Sequence, residues 1–421
     1  MTKRAWWLVG LNILIPGSAQ LIAGSRRLGR FGVSMTFLIW AIAILAAIVF
    51  FAWPVAIYAL ATNAIALAII QGLLVAYVVL WIVLTLDTLR LARLVRATPK
   101  ARPFIAGLAI AALALTAGTA GYAASITGVT RSTLNELFAD GNYKEPVDGR
   151  YNILLLGGDA GADRTGTRPD SISVASIDAS TGATTVIGIP RNFENATFSA
   201  GSPLFGPFPD GYDCGDECLV NYLYTYGEEH PELYPDAVAN GSNAGIEATR
   251  DAVSGITGLS LQYYVLIDMQ GFADLVDSLG GVTIEVPQRT AIGAITASEP
   301  IGYIEAGTQH LDGATALWYA RSRFDTNDYD RMERQRQVQE AVLTQFDPAN
   351  VVSKFRGIAE AGTQVVTTDV PSVMLPRFVD LGGKARALPI GKLELVPGVV
   401  DTLDPDYAMI HALVQSTLAT E

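Results

Sequence analysis

The hydrophobic positions fall into two regimes. Near the N-terminus, residues 33–52, 65–86 and 104–126 are apolar almost without interruption and hold no ionised side chain. Each is about 20 residues long, the length of a helix that crosses a bilayer. An earlier apolar stretch, 5–22, is broken by Asn12, Pro16, Gly17, Ser18 and Gln20. It predicts a re-entrant or interfacial hairpin turning at Pro16–Gly17, with a fourth span as the alternative. Beyond residue 150 the pattern shortens. Strands are predicted at 151–157, 171–177, 184–189, 263–267 and 282–286, and Pro190 stops the third. Helices are predicted at 244–256, 270–279, 311–321 and 331–346, while 199–218 reads as a long loop. Alternating strands and helices predict an α/β fold, a mixed central sheet flanked by helices, behind an N-terminal multispan helical anchor.

Composition sharpens the division. Mean hydropathy is +0.32 and half of the residues are hydrophobic, which excludes a disordered chain. Residues 1–130 carry ten Lys/Arg and a single acid, Asp87, whereas 131–421 carry 19 Lys/Arg and 40 acids. The basic clusters at 26–30 and 90–102 belong in the cytoplasm by the positive-inside rule. The N-terminus is then cytoplasmic, and everything after about residue 127 lies outside the cell. The expected parts are a membrane anchor over 1–130, a stalk and linker over 131–149, a main domain over 150–347, and its completion over 348–421. An acidic outer part gives nucleic acid nothing to hold. Cys214 and Cys218 are the two cysteines. Outside the cell the expectation is a disulfide, with two free thiols as the alternative; a zinc site would want four ligands.

Three clusters carry candidate chemistry. Asp159 follows Gly157–Gly158 at a strand end, and Asp170 precedes the next strand after Arg168 and Pro169. Two such carboxylates suit Mg²⁺, which takes oxygen ligands and shares them with phosphates. The spacing alone favours a turn residue and a strand cap. Arg191 stands at the end of the third strand, where a lone Arg is ordinarily a solvated charge. The densest cluster holds Arg321 and Arg323, then Asp325, Asp328 and Asp330, then Arg331, Arg334 and Gln335. On a helix, Arg331, Arg334, Gln335 and Val338 share one face. Guanidinium forks match phosphate oxygens, so a pyrophosphate site and a salt-bridged surface are the two readings. No P-loop, serine-hydrolase elbow or dinucleotide fingerprint occurs.

The ordered motifs are Asn152–Asp159, Arg168-Pro169-Asp170, Ile189-Pro190-Arg191, Gly271–Val282, Leu311–Arg323 and Asp328–Gln335. Together they resemble the LytR-CpsA-Psr family of bacterial cell-envelope enzymes, of actinobacterial type. The likeness covers about 150–347 and, more weakly, the tail. It implies transfer of a glycopolymer from a polyprenyl-pyrophosphate carrier to peptidoglycan through a phosphodiester. It also implies an apolar pocket for the prenyl chain. By motif, Asp159 and Asp170 would hold Mg²⁺. Asp170, Arg321, Arg323, Arg331 and Gln335 would be catalytic, and Arg168, Arg191 and Arg334 would bind substrate. The implied partners are the lipid-linked glycopolymer, the peptidoglycan acceptor and the membrane.

Two departures stand out. Asn192 replaces the family's usual Asp after Pro-Arg, and the early Arg after Asp159 is missing, with Arg164 the nearest substitute. A pyrophosphatase using the same residues, and a non-enzymatic lipid-binding regulator, are the rival functions.

Overall fold

The structure is a computed structural model that describes residues 2–138, 143–159, 168–215, 218–293, 298–324, 326–345 and 366–420. The chain divides into two compact units, Met1–Leu134 and Asn135–Glu421.

In the first unit, helices α1 (Thr2–Leu14) and α2 (Ser18–Ala23) replace any single long N-terminal helix. The 13 residues of α1 reach about 20 Å, short of a bilayer's hydrocarbon thickness. The break falls at Gly17, whose φ of 95° is left-handed. A β-carbon on Gly17 would also meet the backbone nitrogen of Val33 at 2.7 Å. Amide side chains pin the pair. Gln20 donates to the Leu84 carbonyl (2.8 Å) and to Thr88 Oγ1 (3.0 Å), and Asn12 donates to Thr85 Oγ1. Helix α3 (Arg26–Ala52) is followed by α4 (Pro54–Ala61), α5 (Ala64–Ala92) and α6 (Arg102–Leu137). Among the described residues, three helical stretches are long and apolar enough to cross a membrane: Arg26–Ala52, Ala64–Arg96 and Arg102–Ser132. Helix α6 runs on to Leu137, into the stretch expected as a stalk.

The second unit is built on a six-stranded sheet. Strands β1 (Arg150–Asp159), β2 (Arg168–Asp178) and β3 (Thr184–Ile189) form an antiparallel meander. Strand β4 (Tyr263–Asp268) lies parallel to β1, after the crossover helices α7 (Tyr222–Glu229) and α8 (Ala244–Thr257). Two smaller sheets pair β5 (Val282–Val286) with β8 (Gly307–Leu311) and β6 (Thr290–Ile292) with β7 (Gly302–Ile304). The tail closes both edges of the main sheet. Strand β9 (Val366–Thr368) runs antiparallel to β4, and β10 (Gly391–Glu394) runs parallel to β3.

Strand alternation sorts the core. Leu154 and Leu156 of β1 join Ile172, Val174, Ile187 and the α8 residues Ile246, Ala252 and Val253. Tyr151 and Ile153 point the other way, to Tyr263, Met374 and Leu381. Every residue of β3 is buried, as befits a strand covered on both faces. A third core joins helix α9 (Met269–Leu279), β5, β8, α10 (Gly313–Arg321) and α11 (Asp328–Gln345). Leu311, expected to start a helix, instead ends β8 opposite Val282. The helix begins after Asp312, whose carboxylate accepts from the Thr315 amide at 2.8 Å.

Candidate phosphate site at the strand ends

The strand ends position the site. Between β1 and β2, Gly157 pairs with Ser171 but Gly158 pairs with Pro169, so Asp170 is the extra residue of a β-bulge. A bulge re-aims the side chain it carries. On the other side of β2, Ile172 pairs with Ile189. Two residues beyond that pair stand Asp170 in β2 and Arg191 just past the end of β3. Their side chains meet, Arg191 Nη1 lying 2.6 Å from Asp170 Oδ1.

Helix α11 supplies the rest. Its first residue, Asp328, accepts from Arg191 Nε at 3.0 Å through one carboxylate oxygen. The other oxygen lies 3.4 Å from Arg323 Nη1 and 3.7 Å from Arg331 Nη1. Arg331 also donates through Nη2 to the Asp170 backbone carbonyl at 3.3 Å. Three guanidinium groups and two carboxylates are therefore gathered, with one net positive charge. The Arg331 side chain is only 3% exposed, and its Nε has no hydrogen-bond partner among the described residues. Burial lowers its pKa against the pull of Asp328 and Asp170. For Asp328, burial works to raise the pKa, but Arg331, Arg191 and Arg323 together hold it below the usual range. Burial likewise opposes the Arg191 cation, yet Asp170 and Asp328 leave its pKa raised.

Neighbouring contacts fix these groups. Ser322 donates to the Ala291 carbonyl (2.6 Å) and accepts from the Gly293 amide, which ties the chain just before Arg323 to the β6–β7 hairpin. Buried Arg336 pairs with Glu394 of β10 and with Gln339, clamping α11 against the sheet. Gly188 of β3 leaves room for that pair: a β-carbon there would meet Arg336 Nη2 at 2.6 Å.

The remaining sequence candidates spread out. Arg168 is exposed and stacks on the Tyr222 ring, 4.6 Å from its centroid. Arg321, also exposed, stacks on Trp318 at 5.3 Å. Gln335 is half-buried on α11 and makes no hydrogen bond among the described residues. Arg334, expected to bind substrate, does something else. It is buried and donates to the carbonyls of Tyr319 (2.9 Å) and Ser322, and to Thr326 Oγ1. Its Nε and Nη2 donors close the gap between α10 and α11. The Asp159 backbone pairs with Arg168, but its side chain, like Arg164 and Asp325, lies outside the described residues. Cys214 and Cys218 form a disulfide. Asp328 is the hub that sequence reasoning treated only as a surface ion-pair partner; its spacing three residues before Arg331 was the available signal.

A model described as the LytR_cpsA_psr family matches residues 123–395. The chain belongs to the LytR-CpsA-Psr family. It is 29% identical over 296 residues to the cell wall biosynthesis protein LcpA of Corynebacterium glutamicum, covering 64% of this chain and 55% of that protein. That likeness fits the actinobacterial type. It is 26% identical over 222 residues to TagU of Halalkalibacterium halodurans, named a polyisoprenyl-teichoic acid–peptidoglycan teichoic acid transferase, covering 52% of this chain and 61% of TagU. The chain thus spans less than two thirds of the length of these curated relatives. The crystal structure of B. subtilis TagV aligns with a TM-score of 0.47 at 21% identity, covering 66% of this chain and 98% of TagV.

Proposed function

We propose that this LytR-CpsA-Psr protein transfers a glycopolymer from a polyprenyl-pyrophosphate carrier to peptidoglycan, forming a phosphodiester. The observation that carries the reading is the convergence of Arg191, Arg323 and Arg331 beside Asp170 at the strand ends. Family membership and the transferase name of TagU support the reaction class. Three apolar helical stretches in the first unit suit an enzyme whose donor is a membrane lipid. In this reading the N-terminus is cytoplasmic and the sheet unit extracellular.

The chemistry follows from the residues. A hydroxyl oxygen of the acceptor attacks the phosphorus nearer the glycopolymer. The bond from that phosphorus to the bridging oxygen breaks, and polyprenyl phosphate leaves with the electron pair. Arg191, Arg323 and Arg331 bind the phosphate oxygens and neutralise the charge that builds on the leaving group. Arg168 and Arg321, each with its guanidinium over an aromatic ring, are placed to add contacts. Asp170 takes the acceptor's proton, since one oxygen is held by Arg191 and the other makes no hydrogen bond among the described residues.

Mg²⁺ belongs to this proposal. What supports it is donor chemistry: Asp170 is partly exposed, and the Asp159 and Asp170 backbones sit on paired strands beside one bulge. Mg²⁺ usually takes one or two protein carboxylates and fills the remaining positions with water and phosphate. When bound there, it would add positive charge at the pyrophosphate. The test is transfer of lipid-linked glycan to peptidoglycan fragments by full-length Arg191→Ala, Arg323→Ala and Asp170→Asn. Each should lose at least about a hundredfold in turnover, the scale of an electrostatic group acting on the transition state. Unchanged turnover in all three would refute the site.

A further inference from the structure

The short segment from Cys218 to Tyr222 touches the site in three ways that the reaction itself does not require. Val220 donates its amide to the Phe193 carbonyl at 2.9 Å. Asn221 donates its amide to the carbonyl of Arg191 itself at 3.2 Å. Tyr222 presents its ring to the guanidinium of Arg168 at 4.6 Å. Cys218 anchors the segment at its start, buried in the sheet core and bonded to Cys214. Helix α7 anchors it at the other end, with Leu223 and Tyr224 buried in the same core. The stretch is thus fixed at both ends; its Asn221 amide holds the Arg191 backbone and its Tyr222 ring faces the Arg168 guanidinium.

We propose that this segment is a brace for the phosphate-binding arginines and that Tyr222 is the positioning residue for Arg168. The inference rests on the phosphoryl-transfer reading above. Arg168 is the exposed arginine at the start of β2, with no carboxylate partner among the described residues. A long side chain in that setting samples many rotamers, and ordering it on binding costs affinity. A ring face held at stacking distance removes much of that cost in advance. Arg191, Arg323 and Arg331 need no such help, because Asp170 and Asp328 already gather them. The site therefore uses carboxylates to order its less exposed guanidinium groups and an aromatic ring to order this exposed one.

The test is binding of geranylgeranyl pyrophosphate to the detergent-solubilised full chain, with and without Mg²⁺. Arg168→Ala should weaken binding about tenfold, the order of one charge-assisted hydrogen bond. Tyr222→Ala and Tyr222→Leu should each weaken it about threefold to tenfold, while Tyr222→Phe keeps wild-type affinity. The Leu variant retains apolar bulk, so its loss reports the ring face and not packing. In an Arg168→Ala background, Tyr222→Leu should cost nothing more. If Arg168→Ala weakens binding but Tyr222→Leu does not, the brace is refuted and the phosphate reading stands. An equal cost of Tyr222→Leu with and without Arg168 would also refute it. If Arg168→Ala and Arg191→Ala both leave binding unchanged, the phosphate reading itself falls.

Discussion

Asp328 pairs with the three arginines that the proposed phosphate would bind, and this sets up a test with opposite signs for stability and affinity. Its carboxylate lies 3.0 to 3.7 Å from nitrogens of Arg191, Arg323 and Arg331. Removing one partner of a fully buried ion pair costs about 3–5 kcal/mol. Exposed pairs contribute below about 1 kcal/mol. Side-chain exposure here is 24% for Asp328 and 3% for Arg331, so the site falls between those limits. Asp328→Asn keeps the shape, removes the charge, and should destabilise the sheet unit by about 2 kcal/mol. Take a separation of roughly 5 Å between that carboxylate and a phosphate held by the same arginines. At an effective dielectric of about 40, the repulsion between them is roughly 1.5 kcal/mol per charge. Affinity for a pyrophosphate should therefore rise about tenfold in Asp328→Asn while stability falls. Calorimetry with inorganic pyrophosphate and pulse proteolysis in urea, both on the full-length protein, give the two numbers. If affinity is unchanged, or falls together with stability, Asp328 is not a stand-in for the anion and the reasoning fails.

Three further outcomes follow from the same geometry. Because the Arg groups depress the Asp328 pKa despite its burial, its stabilisation is complete above the unfolded value of about 3.9 and is lost as pH falls through the folded value. Stability profiles between pH 2.5 and 6 should be flatter at their acid end in Asp328→Asn than in the wild type. Arg334→Ala strands the Tyr319 and Ser322 carbonyls, and should cost about 3 kcal/mol in urea unfolding, more than Arg323→Ala. Replacing Cys214 and Cys218 together by Ser releases a short loop worth about 2 kcal/mol, and proteolysis within 199–218 should accelerate.

The longer strands were legible because their signals are local. Thr184–Ile189 and Val282–Val286 are dense in β-branched residues and end at Pro190 and near Pro287, and both strands form over those bounds. Edges were not legible. Strands β9 and β10 have three and four residues and exist only because the sheet offers them hydrogen-bonding partners. Leu311 illustrates a contest: its apolar neighbours fit a helix, but pairing with Val282 wins, and Asp312 caps the helix one residue later. The site was half legible. Periodicity placed Arg331 and Arg334 on one face of α11, but it could not tell which guanidinium would meet carboxylates and which would meet carbonyls. That distinction depends on α10 ending at Arg321 and turning at Ser322, a tertiary fact. The bulge at Asp170 was equally hidden, since no residue type commits a strand to one extra position.

The acidity of the chain looks hostile to the proposed pyrophosphate ligand, yet the local geometry is compatible with one. Residues 131–421 hold 40 acids against 19 Lys/Arg. At physiological salt, exposed charges more than about 8 Å away are largely screened. What a bound phosphate feels is the half-buried group within reach: Arg191, Arg323 and Arg331 against Asp170 and Asp328. Burial strengthens those few charges just as screening silences the many. The carboxylates also keep three like charges from repelling one another apart while no ligand is bound. A site of this kind can tolerate a strongly negative surface and needs only a small local surplus of positive charge. Removing one internal carboxylate should then sharpen affinity, and the expected loss of stability would account for the carboxylate.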